Sequence, residues 1–158
     1  MTEISNSADD QGEIRVARFF AGIQPERLFQ AYTTPAELAE FFAPEGLSID
    51  VDSVVIEPHV GGRFECTMVF DDTGEEAASI GVLIEVEAPN RLVGTEPESG
   101  MISAQTFTAV EGGTELVVHQ TNVPSQYLTP EVEPAFQSSF DNLQVLLDRE
   151  NPNPRFEQ

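Results

Sequence analysis

The sequence predicts one α+β domain in which a curved antiparallel sheet wraps around a single long C-terminal helix and leaves an apolar cavity between them. Three observations carry this expectation. From Ile49 to Asn122, alternating or apolar runs follow one another through short turn signals, and strands joined in that way are largely antiparallel. Near the end of the chain Phe136, Phe140, Leu143, Leu146 and Leu147 recur at helical spacing. A sheet with one apolar face needs a cover, and that stripe matches it.

Taken in order, residues 1–12 read as a disordered acidic tail, residues 13–150 as the domain and residues 151–158 as a second tail. Ile14, Val16, Arg18 and Phe20 suggest a first strand. Pro25 opens a helix whose apolar face is Leu28, Phe29 and Tyr32. Thr34-Pro35-Ala36-Glu37 reads as a capping box starting a second, short helix with Leu38, Phe41 and Phe42, stopped by Pro44 and Gly46. A strand is expected from Ile49 to Glu57, then a turn or bulge at Gly61-Gly62. Arg63 to Phe70 alternates cleanly, with Phe64, Cys66, Met68 and Phe70 on one face. Asp71 to Gly74 is a hairpin loop. Strands follow over Ala77–Glu87 and Arg91–Glu96, and Met101–Val110 pairs with Thr114–Asn122 through Glu111-Gly112-Gly113. The last helix is expected from about Pro130, capped by Thr129, to Glu150, and Asn151-Pro152 ends it.

Charge excludes several functions. Lys and Arg total 7, all of them Arg, against 28 Asp and Glu, for a net charge of -21. Nucleic acid and anionic membrane are bound by cations that neutralise phosphate, so neither is an expected partner. The acids run along the whole chain and Lys is missing throughout. This pattern fits adaptation to a salty interior better than one basic partner. The lone Cys66 has no internal disulfide partner, and no Cys/His cluster has zinc-like spacing, so no metal or other cofactor is expected. With no apolar leader and no apolar run near the ~20 residues of a membrane span, the reading is cytoplasmic.

Candidate chemistry is sparse. His119 is the natural general-base candidate, but Thr114, Leu116, Val118 and Gln120 share the inward face, which turns His119 outward. His59 falls in the loop before Gly61. Cys66 reads as a small buried hydrophobe, and Glu65 and Glu85 as solvated residues of the convex face. Gly61-Gly62-Arg63 lacks the rest of a phosphate-binding loop. No catalytic residue is assigned. The cavity is expected to be lined by Phe64, Cys66, Met68, Gln105, Phe107, Gln120, Phe136 and Phe140, with Tyr127 at its entrance. Gln105 and Gln120 either orient a ligand or bond each other, backbone or water.

The segments Pro25 to Tyr32, Thr34 to Leu38, Phe42-Ala43-Pro44, Val60 to Phe64, Gly81 to Glu85, Ala88 to Val93, Gly113 to Leu116 and the helix Phe136 to Leu147 together cover nearly all of residues 13–150. In that order they resemble the family related to the C-terminal domain of the activator of Hsp90 ATPase, within the START/Bet v 1-like (SRPBCC) superfamily. Two departures stand out. Phe29, Phe41 or Phe42, and Phe140 take places where the family usually has Trp, and Gln120 takes one where it often has His. The resemblance implies a helix-grip fold that holds an apolar or aromatic small molecule. It also implies alternatives: an interaction or chaperone-associated module in a stress response, or a cyclase- or hydrolase-like enzyme, for which the residues supply no acid–base set. The co-chaperone's further N-terminal domain is not expected here, and a homodimer stays open.

Overall fold

The computed structural model describes residues 11–150. The expected tails lie outside these residues, except that Gln11 and Gly12 open the first strand and pair with Pro124 and Val123. The strands are β1 (Gln11–Ala21), β2 (Leu47–Ile49), β3 (Val55–Ile56), β4 (Arg63–Phe70), β5 (Glu76–Glu87), β6 (Arg91–Thr95), β7 (Ile102–Val110) and β8 (Gly113–Pro124). The helices are α1 (Pro25–Thr33), α2 (Pro35–Phe41) and α3 (Val132–Glu150).

All strands join one antiparallel sheet in the order β1-β8-β7-β6-β5-β4-β2, with β3 also on β4. The sheet curls into a half-barrel around α3, and α1 and α2 follow β1. Register irregularities between Leu83 and Glu85 and between Gly12 and Ile14 give the bends that a curled sheet requires.

The inner face carries the core. Val16 and Phe20 of β1, Leu116 and Val118 of β8, Phe107 of β7 and Leu92 of β6 pack with Phe140, Leu143, Leu146 and Leu147 of α3. Each such side chain contributes about 1.5–3 kcal/mol through burial. Rings knit α1 and α2 to the sheet: Tyr32 lies 5.0 Å from Phe41 and 5.4 Å from Phe107, and Phe29 meets Phe107 edge-on at 6.1 Å. Phe29, Phe41 and Phe140 thus serve as packing aromatics.

Three local expectations are corrected. The segment 49–57 is not one strand. The Asp50 carboxylate accepts the Asp52 backbone N–H at 3.0 Å, and a 3-10 turn over Val51–Ser53 separates β2 from β3. Thr34 does not cap α2; its hydroxyl donates back to the Gln30 carbonyl at 2.7 Å and finishes α1. Glu37 is drawn away from a capping box by Arg27, which it receives through two parallel bonds of 3.0 Å that clamp α1 to α2. The final helix starts at Val132, with Thr129 and Pro130 in the preceding turn. No helix of the described residues is long and apolar enough to cross a membrane.

Candidate ligand-binding cleft

The end of α2 and the loop that follows it are tied to α3 by three hydrogen bonds. Ser139 Oγ donates to the Phe41 carbonyl at 2.8 Å, Asn142 Nδ2 donates to the Ala43 carbonyl at 3.3 Å, and the Glu45 N–H donates to Ser138 Oγ at 3.0 Å. These bonds hold Phe42 and Pro44 over the sheet.

Beneath them lies a half-open cleft of about 410 Å³. Its apolar walls include Ile14, Tyr32, Phe42, Met68, Val118, Val132, Phe136 and Phe140. A smaller lobe of about 100 Å³ extends over β5 and β6, walled by Phe64, Leu83 and Leu92. Gly81 and Gly94 line this lobe, and having no side chain they leave it open. The two share Phe42, Ser79, Glu96, Met101, Ser103, Gln105 and Gln120. The combined size is that of sites that enclose a small organic molecule.

The polar groups sit at the junction. Gly94, Ser103 and Gln120 are cross-strand partners on β6, β7 and β8, and Gln105 is two residues along β7 on the same face. Ser103 Oγ accepts from Gln105 Nε2 at 3.1 Å and from Gln120 Nε2 at 3.2 Å. The two amides are therefore bridged by one hydroxyl. Glu96, after β6, accepts Ser99 Oγ at 3.2 Å through one carboxylate oxygen. Tyr32 is 2% exposed and its hydroxyl has no hydrogen-bond partner among the described residues, and burial holds its phenol well above the ordinary range.

Of the residues expected to line the space, Phe64, Met68, Gln105, Gln120, Tyr127, Phe136 and Phe140 border it. Tyr127, in a 3-10 turn before α3, is 53% exposed at the rim. Cys66 and Phe107 do not border it. Both share the inner face, but Phe107 is covered by Phe29 and Tyr32, and Cys66 lies in the packed core, where burial pushes its thiol up to about 11. Ser103, Glu96, Tyr32 and Phe42 are lining residues that sequence reasoning missed.

Neither histidine reaches the cleft. His119 Nε2 lies 3.3 Å from Glu13 on the outer face, and His59 Nδ1 bonds the neighbouring Val60 carbonyl. Glu65 and Glu85 pair with Arg63 and Arg91. The amides of Gly61 and Gly62 are spent on the Leu83 and His59 carbonyls. A Cβ on Gly62 would stand 2.0 Å from the Glu57 carbonyl oxygen, so the residue is glycine because the turn is tight. No group of three or more His, Cys, Asp or Glu side chains that could hold a metal occurs among the described residues.

The sheet, the two short helices and the long helix recur in solved structures. A protein of Chromobacterium violaceum matches at TM-score 0.78 and 24% identity, over 85% of this chain and 96% of its own. A Rhodobacter sphaeroides protein matches at 0.78 and 25% identity, over 87% and 93%. An AHSA1-like protein of Aeromonas hydrophila matches at 0.74 and 20% identity, over 88% and 94%. No curated protein is recognisably similar to the chain in sequence. The family of activator of Hsp90 ATPase homolog 1-like proteins matches residues 23–148. The chain belongs to this family. Family and fold together support, in general terms, a ligand-binding or Hsp90-activator-like module.

Proposed function

We propose that the chain binds an apolar or aromatic small molecule between the sheet and α3. The observation that carries this reading is the composition of the cleft wall: Phe42, Met68, Phe136 and Phe140 present apolar surface, while Ser103, Gln105 and Gln120 converge at one place. A wall built only to be filled has no use for three polar side chains at its centre, since each costs free energy unless it is satisfied. No reaction is assigned, because the cleft brings no histidine to those groups and its one nearby thiol is buried and protonated. The buried free thiol and the charge of -21 favour a reducing, salt-rich interior as the place of action.

The test is thermal and mass-spectrometric. Native spectra of protein purified in high salt should retain a bound apolar compound, or melts with a panel of aromatic compounds should rise with concentration as linkage requires. Ala135→Phe, which puts a ring into the cleft from α3, should abolish the rise while keeping the fold. If no compound shifts the melt, the reading falls. The family then points to a protein-interaction module, to be assayed as stimulation of Hsp90 ATPase activity.

A further inference from the structure

We propose that this cleft selects ligands with a cationic or hydrogen-bond-donating nitrogen, of which an arylalkylamine is the simplest, and that Glu96 receives that nitrogen. The inference rests on the ligand-binding reading above and adds the chemical class.

The argument begins with hydrogen-bond accounting at the junction. Ser103 has one hydroxyl proton, so it cannot donate to both amides. At least one of Gln105 and Gln120 must therefore approach it through Nε2, and in the structure both do, at 3.1 and 3.2 Å. The amide oxygens of both residues then have no partner among the described residues. An amide oxygen accepts and cannot donate, so the junction asks for a donor. Glu96 adds to this. One of its oxygens takes the Ser99 hydroxyl, the other has no partner among the described residues, and no arginine or histidine borders either lobe. The arginines with ion pairs spend them elsewhere, on Asp141, Glu37, Glu65, Glu85 and Glu40.

Two further features act in the same direction. Aromatic rings surround the junction: Phe42 meets Phe64 at 6.1 Å and Tyr32 at 6.2 Å, and ring faces attract cations. An anionic head would meet no arginine or histidine among the described residues that line the cleft, which leaves its desolvation uncompensated. The protein's whole field, at -21, also repels it. An apolar body with an ammonium head can donate to the two amide oxygens and to Glu96; a fatty-acid carboxylate can donate to none of them.

Three probes of matched shape separate the possibilities: 4-phenylbutylamine, 4-phenylbutanol and 4-phenylbutyrate, titrated calorimetrically into the full chain. The titration is run at about 1 M salt, where the screening length is about 3 Å and the distant charges are muted. The amine should bind about tenfold tighter than the alcohol, as a charge-assisted hydrogen bond requires, and the carboxylate weakest. Glu96→Gln should erase the preference for the amine and leave the alcohol unchanged. Glu98→Gln removes the same charge from an exposed site two residues away and should change neither. Equal binding of the three, tightest binding of the carboxylate, or an amine preference that survives Glu96→Gln would overturn the assignment while leaving the ligand-binding reading intact. Binding of none of the three, with aromatic compounds still shifting the melt, also overturns it; if no compound binds, both readings fall. Should Glu96→Gln not fold, the ranking on the unmodified chain decides alone.

Discussion

Removing the Arg18 side chain should loosen the helix that forms one wall of the cleft, by an amount the structure allows to be worked out. Arg18 stands on the inner face of β1 beside Val16 and Phe20, where a cation is costly unless held. Its guanidinium donates to Gln137 Oε1 at 2.9 and 3.1 Å, to the Gln137 carbonyl at 3.2 Å and to Asp141 at 2.8 Å. It also lies 5.7 Å from the Phe140 ring centroid. Asp141 is 71% exposed, so that pair is worth at most about 0.5 kcal/mol. The ring contact adds about 0.5–1 kcal/mol. The partly buried bonds to Gln137 add about 1 kcal/mol more. Arg18→Ala should therefore cost about 2 kcal/mol in urea unfolding, or roughly 4–8 °C in Tm for a chain of this length. Arg15→Ala, an exposed site on the same strand, removes the same charge and should cost under about 0.5 kcal/mol. Arg18→Lys should recover less than half, because an ammonium cannot reproduce the fork. If Arg18→Ala and Arg15→Ala cost the same at low and at high salt, the arginine acts only through net charge and the anchoring argument is wrong.

Two further outcomes are expected. Folded Cys66 should resist a disulfide-forming thiol reagent near pH 8 and react only after denaturation. Because burial raises its thiol from 9.0 to about 11, its contribution to stability is complete below about pH 8.5 and is lost as pH rises through 11; Cys66→Ala should flatten that alkaline slope, read from urea midpoints. A Cβ at Gly94 would meet only the Val82 carbonyl at 3.5 Å and Leu83 at 3.7 Å, so Gly94→Val should fold with unchanged or slightly higher Tm. It should close the smaller lobe and weaken bulky ligands, and a drop of several degrees in Tm would refute the claim that this space is open.

The fold was legible because it rests on periodicity. Apolar runs over Arg63–Phe70 and Thr114–Asn122 become β4 and β8, although Phe70, expected on the inner face, is 40% exposed and Val117 is buried between Leu116 and Val118; the stripe from Phe140 to Leu147 is the buried face of α3. Signals that depend on competition between partners were not legible. Thr34 and Glu37 carry the letters of a capping box, but a nearby carbonyl and the Arg27 guanidinium outbid the helix terminus for them. Val51 keeps the alternation of a strand yet is 46% exposed, because Asp50 turns the chain locally and Ser53 Oγ reaches across to accept the Thr67 N–H at 2.9 Å. The site shows the same division. Parity puts Phe64, Cys66, Met68 and Phe107 on the inner face, but it cannot say which part of that face the helices cover. Ser103 had no signal of its own; it matters only because the β7–β8 register sets it opposite Gln120.

The space under α3 therefore has two separable causes. Curvature is set by strand length, by the register irregularity near Glu85 and by the twist of antiparallel pairs, and it would be the same with a filled interior. Emptiness is set by side-chain size along one row. Where β5, β6 and β7 pass beneath Phe42 the inward residues are Ser79, Gly81, Gly94 and Ser103, too short to meet the helix layer, whereas Phe107, further along β7, is long enough and is sealed. A sequence selected only for stability would place large apolar residues along the whole row, since filling a void recovers both transfer and contact energy. The short residues coincide with the cluster of polar side chains Ser103, Gln105 and Gln120 on the cleft wall, so size and polarity change together at one place. That coincidence is what a pocket requires and a packed core does not.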